Sequence, residues 1–330
     1  MLTVSARKLD PTRTTMLVRQ WMGDMQRRFA SVRKANRELL VEDDALGLTA
    51  PGPFIIQQQV GYQAWRFQTD ANKIQSYRKW LKAQVDAKIL TVDVTGKPWM
   101  ATYVESAYRK GVANAYMATH KKSVKAKPGF YEGTREQFLR EAFAQPELLS
   151  KVELLYTRAY TELVGVTATM DQQLSRILAM GIVNGIGPKK LAAEMASKIN
   201  TLSRNRAMLI ARTETIYAHA EGQLDSFEML GVTEVGLEAE WSTVLDKKVC
   251  PECEAMEGVV MPVDKAHGLI PRHPACRCSW LPALASRKET GQLWGRSGRS
   301  AIRKSIGAEY ASGSYRQAKM KSVWSGKELV

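Results

Sequence analysis

The spacing of apolar residues predicts helices over most of the first 230 positions. After Asp10 and Pro11, which suit a helix start, apolar side chains recur every three or four residues at Val18, Trp21, Met22, Met25, Phe29 and Val32. This period predicts a core-facing helix over about 11–40. Similar stripes predict a helix capped by Asp70, another over about 99–120, and helices through most of 134–230.

Within that last stretch, Pro188 should begin one helix, and another should run from about 204 to Gly231. Glycine and proline residues predict a loop over 44–63, and the basic stretch 121–129 reads as a linker. After residue 232 the period changes. Val235, Leu237, Ala239 and Trp241 alternate with polar or small residues, which predicts a strand, and short strands are expected near 258–261 and 278–281.

The cysteines add a chemical expectation, because all four lie in one short segment. They occur as Cys250-Pro-Glu-Cys253 and His273-Pro-Ala-Cys276-Arg-Cys278. Two tight turns carrying soft ligands about twenty residues apart have the spacing of a tetrahedral zinc site. Five candidate ligands compete for four places. Cys250 and Cys253 are the firmest pair, the other two come from His273, Cys276 and Cys278, and His267 lies nearby.

Other uses of these thiols have weaker support. Disulfides suit secreted chains, and no secretory signal precedes them. A redox Cys-x-x-Cys pair would not need the second His/Cys cluster. A catalytic metal site keeps one coordination position open, whereas four protein ligands make a closed, structural site. We therefore predict structural Zn²⁺ in a mainly α fold with a small zinc-stapled α+β module near the C-terminus. The predicted regions are a helical N-terminal region (1–130), a helical bundle region (131–232), the β-rich zinc module (233–285) and a basic tail (286–330).

Charge points to a polyanionic partner. The net charge is +15 and the sequence pI is about 9.6, which favours non-specific DNA binding, although a generally basic surface would look the same. The tail holds ten Lys or Arg residues against three Glu, interleaved with aromatics. It could dock on nucleic acid or a partner protein, or be a solvated tail. No apolar run is long enough to span a membrane, so a cytoplasmic protein, or one exported within a larger assembly, is expected.

Several short motifs follow one another in a recognisable order. They are Ala211-Arg212-Thr213-Glu214, Gly231-Val232, Trp241 to Asp246, Cys250 to Cys253, Gly258-Val259-Val260, and Pro271 to Cys278. This order resembles the head morphogenesis, or minor head protein, family of tailed bacteriophages named after phage Mu, over about residues 175–285. The closing His-Pro-x-Cys-Arg-Cys is the most specific element.

The resemblance implies a virion component. Members associate with the portal vertex or head interior and act in head assembly or DNA delivery. We therefore expect a non-enzymatic structural protein whose partners are the portal and/or major capsid protein and non-specific double-stranded DNA. It should lie in the head interior or neck of the virion, and in the host cytoplasm during assembly. Cys250 and Cys253 stand where some members keep a His, which favours metal binding here.

The alternative is a metal-dependent enzyme, such as a nuclease or toxin-like effector carrying a phage-head module. An enzyme should show a second cluster of carboxylates or histidines beside an open metal position. None is evident in the sequence, so no catalytic residue is assigned.

Arg212 and Glu214 lie two residues apart and should face different sides of their helix, and each is expected to tie that helix to the zinc module.

Overall fold

The structure, a computed structural model, describes residues 12–49, 70–120, 130–232, 236–244, 246 and 248–284. Its helices are α1 (Thr15–Arg37), α2 (Asp70–Lys88), α3 (Ala101–His120), α4 (Arg135–Ala142), α5 (Pro146–Val183), α6 (Pro188–Leu202), α7 (Met208–Met229), α8 (Pro251–Met256) and α9 (Val263–Ala266). The strands are β1 (Leu237–Ser242), β2 (Val260–Met261) and β3 (Ser279–Leu284). The predicted fold class, mainly helical with a small module near the C-terminus, is confirmed.

Several helix boundaries differ from the sequence-based expectation, and α1 begins at Thr15 rather than at about residue 11. A five-residue π-helical turn (Ser203–Ala207) joins α6 to α7, so the predicted start near 204 falls inside that turn. A second π-helical turn, Glu38–Glu42, follows α1. Most of the loop predicted over 44–63, the linker 121–129 and the tail 286–330 lie outside the described residues.

The chain divides into two compact units. Unit 1 combines residues 1–19, 101–156 and 211–330, and unit 2 combines 20–100 and 157–210. In unit 2 the predicted α1 stripe is core, because Trp21, Met25, Phe29 and Val32 are buried. Region boundaries at 130, 232 and 285 stay predictions.

Two glycines let α3 and α7 cross closely within unit 1. A Cβ atom at Gly111 would lie 2.1 Å from the carbonyl oxygen of His219, and one at Gly222 would lie 2.4 Å from that of Tyr108. Real Cβ atoms do not approach backbone this closely, so both positions require glycine. His219 of α7 is buried at this crossing, and its Nε2 accepts a hydrogen bond from Asn114.

The sheet is small and antiparallel, in the order β2-β1-β3. Residues of β1 alternate between buried and partly exposed, as the period of two predicted. Trp241 on β1 pairs with Trp280 on β3, and their rings meet edge to face with centroids 5.3 Å apart. The helices within the described ranges include none that is both long and apolar enough to cross a membrane.

Candidate metal centre

The first half of the candidate site lies at the start of α8. Cys250 is the N-cap, Pro251 occupies the first turn, and the backbone N–H of Cys253 donates to the Cys250 sulfur over 3.3 Å. The sequence predicted a tight turn here, whereas the structure places Cys253 in the first turn of a helix. Proline at this position favours the helix start, and the cap directs both sulfurs to one side.

The second half is the turn from His273 to Cys278. His273 donates from Nδ1 to the carbonyl oxygen of Pro274 over 2.7 Å, which leaves Nε2 as the ligand atom. That Nε2 lies 3.2 Å from the sulfur of Cys250 and 3.2 Å from that of Cys253. The backbone N–H of Cys276 donates to the His273 carbonyl, closing the turn.

The donor atoms form two overlapping groups that share Cys253. One group joins Cys250, Cys253 and His273, and the other joins Cys253, Cys276 and Cys278, with ligand atoms in each group within 4.8 Å of one another. The sulfurs of Cys253 and Cys276 are 3.9 Å apart. Zinc–ligand bond lengths put neighbouring ligand atoms roughly 3.6–3.8 Å apart in a tetrahedral site. The cluster therefore has donors and spacing suited to a metal ion.

A cavity of about 20 Å³ adjoins this cluster, enough for a single small ion. Four of its lining residues are Cys250, Cys253, His273 and Cys278. Cys276 does not line it.

The thiols of Cys253, Cys276 and Cys278 are buried and lie against one another. Hydrogen bonds from Cys253 and Cys278 lower the pKa of Cys276, and hydrogen bonding to Cys276 and Cys278 together with burial raises the pKa of Cys253. Burial disfavours ionising all three thiols at once without a nearby positive charge. A bound cation would let further thiols ionise, since it supplies the positive charge that the buried cluster lacks.

An ion pair holds the two halves together. Both terminal guanidinium nitrogens of Arg277, Nη1 and Nη2, lie 2.6 Å from the carboxylate oxygens of Asp246, which also accepts from the backbone N–H of Lys248 over 2.9 Å. The Arg277 hydrogen bonds lower the pKa of Asp246 to about 2. This pair ties the loop before Cys250 to the Cys276–Cys278 segment, a role that the sequence did not assign.

The module also attaches to α7. The backbone N–H of Ala275 donates to Thr213 Oγ1 over 3.2 Å. The buried side-chain amide of Gln223 donates to the Trp280 carbonyl and accepts from the backbone N–H of Trp280 and from the Ser279 hydroxyl. Gln223 thus continues the hydrogen bonding of β3 in place of a further strand. Arg212 is exposed and Glu214 is buried, and their ties to the module stay a prediction. The sequence did not identify Thr213 and Gln223 as attachments.

One known protein family matches the part of the chain that contains this cluster. Residues 172–281 match the family described as Phage Mu protein F like protein. This confirms the resemblance drawn from the motifs. The match covers about a third of the chain and includes α6, α7 and all five candidate ligands. No curated protein and no solved structure was found to match the chain.

A second cluster, made of carboxylates and two basic side chains, lies on α7 and beside it. Glu221, Asp225 and Glu228 are one turn apart on α7, and His267 places Nδ1 2.8 Å from Glu221 and Nε2 3.3 Å from Glu228. Lys151 lies 3.4 Å from Glu221 and also pairs with Asp225. No second cluster of carboxylates or histidines was evident in the sequence, whereas the structure brings one together. The α7 spacing was visible in the sequence, but the approach of His267 and Lys151 depends on tertiary folding.

Two cations already face these carboxylates. Burial lowers the pKa of His267, but hydrogen bonds to Glu221 and Glu228 outweigh it and raise that pKa to about 9. Burial tends to lower the pKa of Lys151 as well, but Asp225 and Glu221 raise it overall. Asp225, Glu228 and His267 also have ligand atoms close enough to hold a metal ion. In the structure, however, the histidine and lysine act as counter-ions to the carboxylates.

Proposed function

We propose that this protein is a structural minor head protein of a tailed phage virion. The observation that carries the proposal is the match of residues 172–281 to the Phage Mu F-like family, which suggests head morphogenesis. The match includes the metal cluster and its anchoring helix α7. The protein acts at the portal vertex or head interior, in head assembly or DNA delivery, and its net charge of +15 favours proximity to packaged DNA.

Virion association has a direct test. Mass spectrometry of purified particles should detect the chain in few copies, and particles assembled without it should be defective in assembly fidelity or infection. Finding the chain only in the host cytoplasm, with normal and infectious particles in its absence, would overturn the proposal.

The cluster of thiols holds one structural Zn²⁺ in this proposal. Thiolate and imidazole donors suit zinc and suit Mg²⁺ poorly. We propose Cys250, Cys253, His273 and Cys278 as the four ligands. The first three bring their ligand atoms together, and Cys278, which groups with Cys253, lines the same small cavity whereas Cys276 does not. Bound zinc would neutralise the buried thiolates and join the two halves of the module, and a module this small gains stability from such a link.

The ligand assignment is tested by two matched substitutions. Cys278→Ser should reduce zinc content from about one per chain to near zero in elemental analysis of freshly reduced protein. Cys276→Ser should retain zinc, since it leaves the four assigned ligands in place. The reverse result would make Cys276 the fourth ligand, and metal-free wild-type protein would remove zinc from the proposal.

The cluster of Asp225, Glu228 and His267 supports one competing function, a metal-dependent nuclease, because its two carboxylates are ligands that suit Mg²⁺ or Mn²⁺. We propose that the cluster is structural, because Lys151 and His267 balance its charge. Purified protein should leave DNA intact in the presence of either metal. Cleavage that disappears in Asp225→Asn while the protein remains folded would support the nuclease instead.

A further inference from the structure

A basic groove runs between α1 and α6 in unit 2. Its volume is about 780 Å³. Small and apolar side chains in its lining are Ala30, Ala192, Ala193, Ala196 and Val41, and basic ones are Arg33, Lys34, Arg37 and Lys189. No acidic side chain is among its described lining residues. The groove therefore combines an alanine-rich surface with positive charge on both flanking helices.

The alanines make the groove suited to a helix. Side-chain size sets how closely two helices pack, with axes typically about 8–10 Å apart. Ala193 and Ala196 are at least partly exposed, and Ala192 below them is buried. A third helix could approach α6 closely here, because a methyl group is the largest side chain at these three positions.

The flanking charges select an acidic partner. Lys34, Arg37 and Lys189 are exposed, and Arg33 donates to Asn200 Oδ1 over 2.6 Å at the side of the groove. Lys34 lies 3.6 Å from Glu38 in a pair that is largely exposed and so contributes little. The helix dipole places a partial positive charge at the α6 N-terminus, and no acidic residue in the first turn compensates it.

The positive charge of the groove also distinguishes between three possible occupants, which are the tail of this chain, DNA and a helix of another protein. The tail of this chain has a net charge of +7 over residues 286–330, so the groove would repel it. Double-stranded DNA would meet the positive charges, but the alanines offer no side-chain donors to phosphate oxygens. An amphipathic helix with small apolar residues on one face and Asp or Glu beside them satisfies both parts of the groove.

We propose that the α1–α6 groove is a docking site for an acidic amphipathic helix of a partner protein. The inference depends on unit 2 alone and is independent of zinc binding and of the proposed virion location. The apolar face of the partner helix would cover the alanines, and its acidic residues would pair with Arg37 and Lys189 on opposite flanks.

Two designed peptides provide the test with the full-length protein. One is a twenty-residue helix with an Ala/Leu face flanked by Glu, and the other has the same residues scrambled so that the face is lost. Fluorescence anisotropy at low salt should show saturable binding of the first and at least roughly tenfold weaker binding of the second.

Neighbouring lysines supply the matched control. Lys189→Glu should weaken peptide binding roughly five- to tenfold, because it places a repulsive charge in the groove. Lys190→Glu should change binding less than about twofold, because Lys190 is exposed but does not line the groove, while its effect on the helix dipole is similar. Ala193→Trp, at an exposed position, should block binding sterically.

Several results would overturn the inference. Equal binding of both peptides would show that charge attraction alone holds them and that the groove does not recognise a helix face. An equal reduction of binding in Lys189→Glu and Lys190→Glu would place the peptide elsewhere. Binding of a labelled DNA duplex that depends on Lys189 and Ala193, with no peptide binding, would show that the groove takes nucleic acid rather than a helix.

Discussion

His267 shows how a single residue can connect the candidate metal module to the helical part of unit 1. It follows α9 directly, and its two ring nitrogens face Glu221 and Glu228 on α7. The backbone N–H of the next residue, Gly268, donates to Glu221 over 2.8 Å. A protonated imidazole suits this position, since each nitrogen then donates to a carboxylate.

This arrangement makes stability depend on pH. The folded pKa of His267, about 9, is above the unfolded value of roughly 6.5. Its contribution to stability should be complete below pH 6.5 and should fall as the pH rises through 9. Urea unfolding of the wild type and His267→Gln should therefore show a stability difference that shrinks over this window. NMR titration of the His267 ring in folded protein gives the direct check, and a value at or below 6.5 would contradict the prediction.

Helix packing in unit 1 depends on glycines that the sequence pattern alone did not identify. The crossing of α3 and α7 brings Gly222 against the backbone of Tyr108. Gly222→Ala should destabilise the protein by about 2 kcal/mol or more, because the added methyl must displace a helix backbone. Calorimetry should show a lower melting temperature.

Gly165 on α5 is the matched control. A Cβ atom there would meet nothing within 4 Å. Gly165→Ala should stabilise the protein by about 0.5–1 kcal/mol, because alanine restricts the unfolded chain and favours the helix. If Gly222→Ala is equally well tolerated, the close approach of α3 and α7 is not a stability determinant.

Periodicity predicted the long elements because each buries one continuous face. The stripe of α1 and the alternation in β1 could both be read from residue spacing. The short helix α8 could not, because a capping cysteine and one proline give too little periodic signal. The Cys/His spacing also predicted the candidate metal cluster. The contacts of Gln223 and His267 escaped prediction, since their partners lie 57 and 46 residues away in the sequence.

For the whole molecule, the two compact units should respond differently to metal removal. The candidate ligands all belong to unit 1, and unit 2 contains none of them. Chelation should loosen residues 236–284 and leave α2 and α6 protected. Hydrogen exchange with mass spectrometry, before and after chelation, measures both regions at once. Restored protection on adding one equivalent of Zn²⁺ is the control, and unchanged exchange in 236–284 would show that the fold of this region does not depend on metal.

The charge of the whole chain leads to a prediction about DNA. With a net charge of +15, binding to double-stranded DNA should be independent of sequence and should weaken steeply with salt. The tail 286–330 lies outside the described residues, but its ten basic side chains supply a net charge of +7. If these side chains neutralise phosphates, deleting 286–330 should reduce the slope of log K against log salt by about 0.9 for each phosphate that the tail neutralises.

The deletion removes both the charge and the length of the tail, so its control is a variant that keeps the length and removes only the charge. Replacing all ten tail Lys and Arg residues by Gln should flatten the salt dependence as much as the deletion does, because the charge and not the chain length is responsible. Binding to two unrelated duplexes of equal length should be the same. A preference for one duplex, or affinity that does not change with salt, would contradict a phosphate-based interaction. A slope that persists in both tail variants would assign DNA binding to the basic side chains before residue 286.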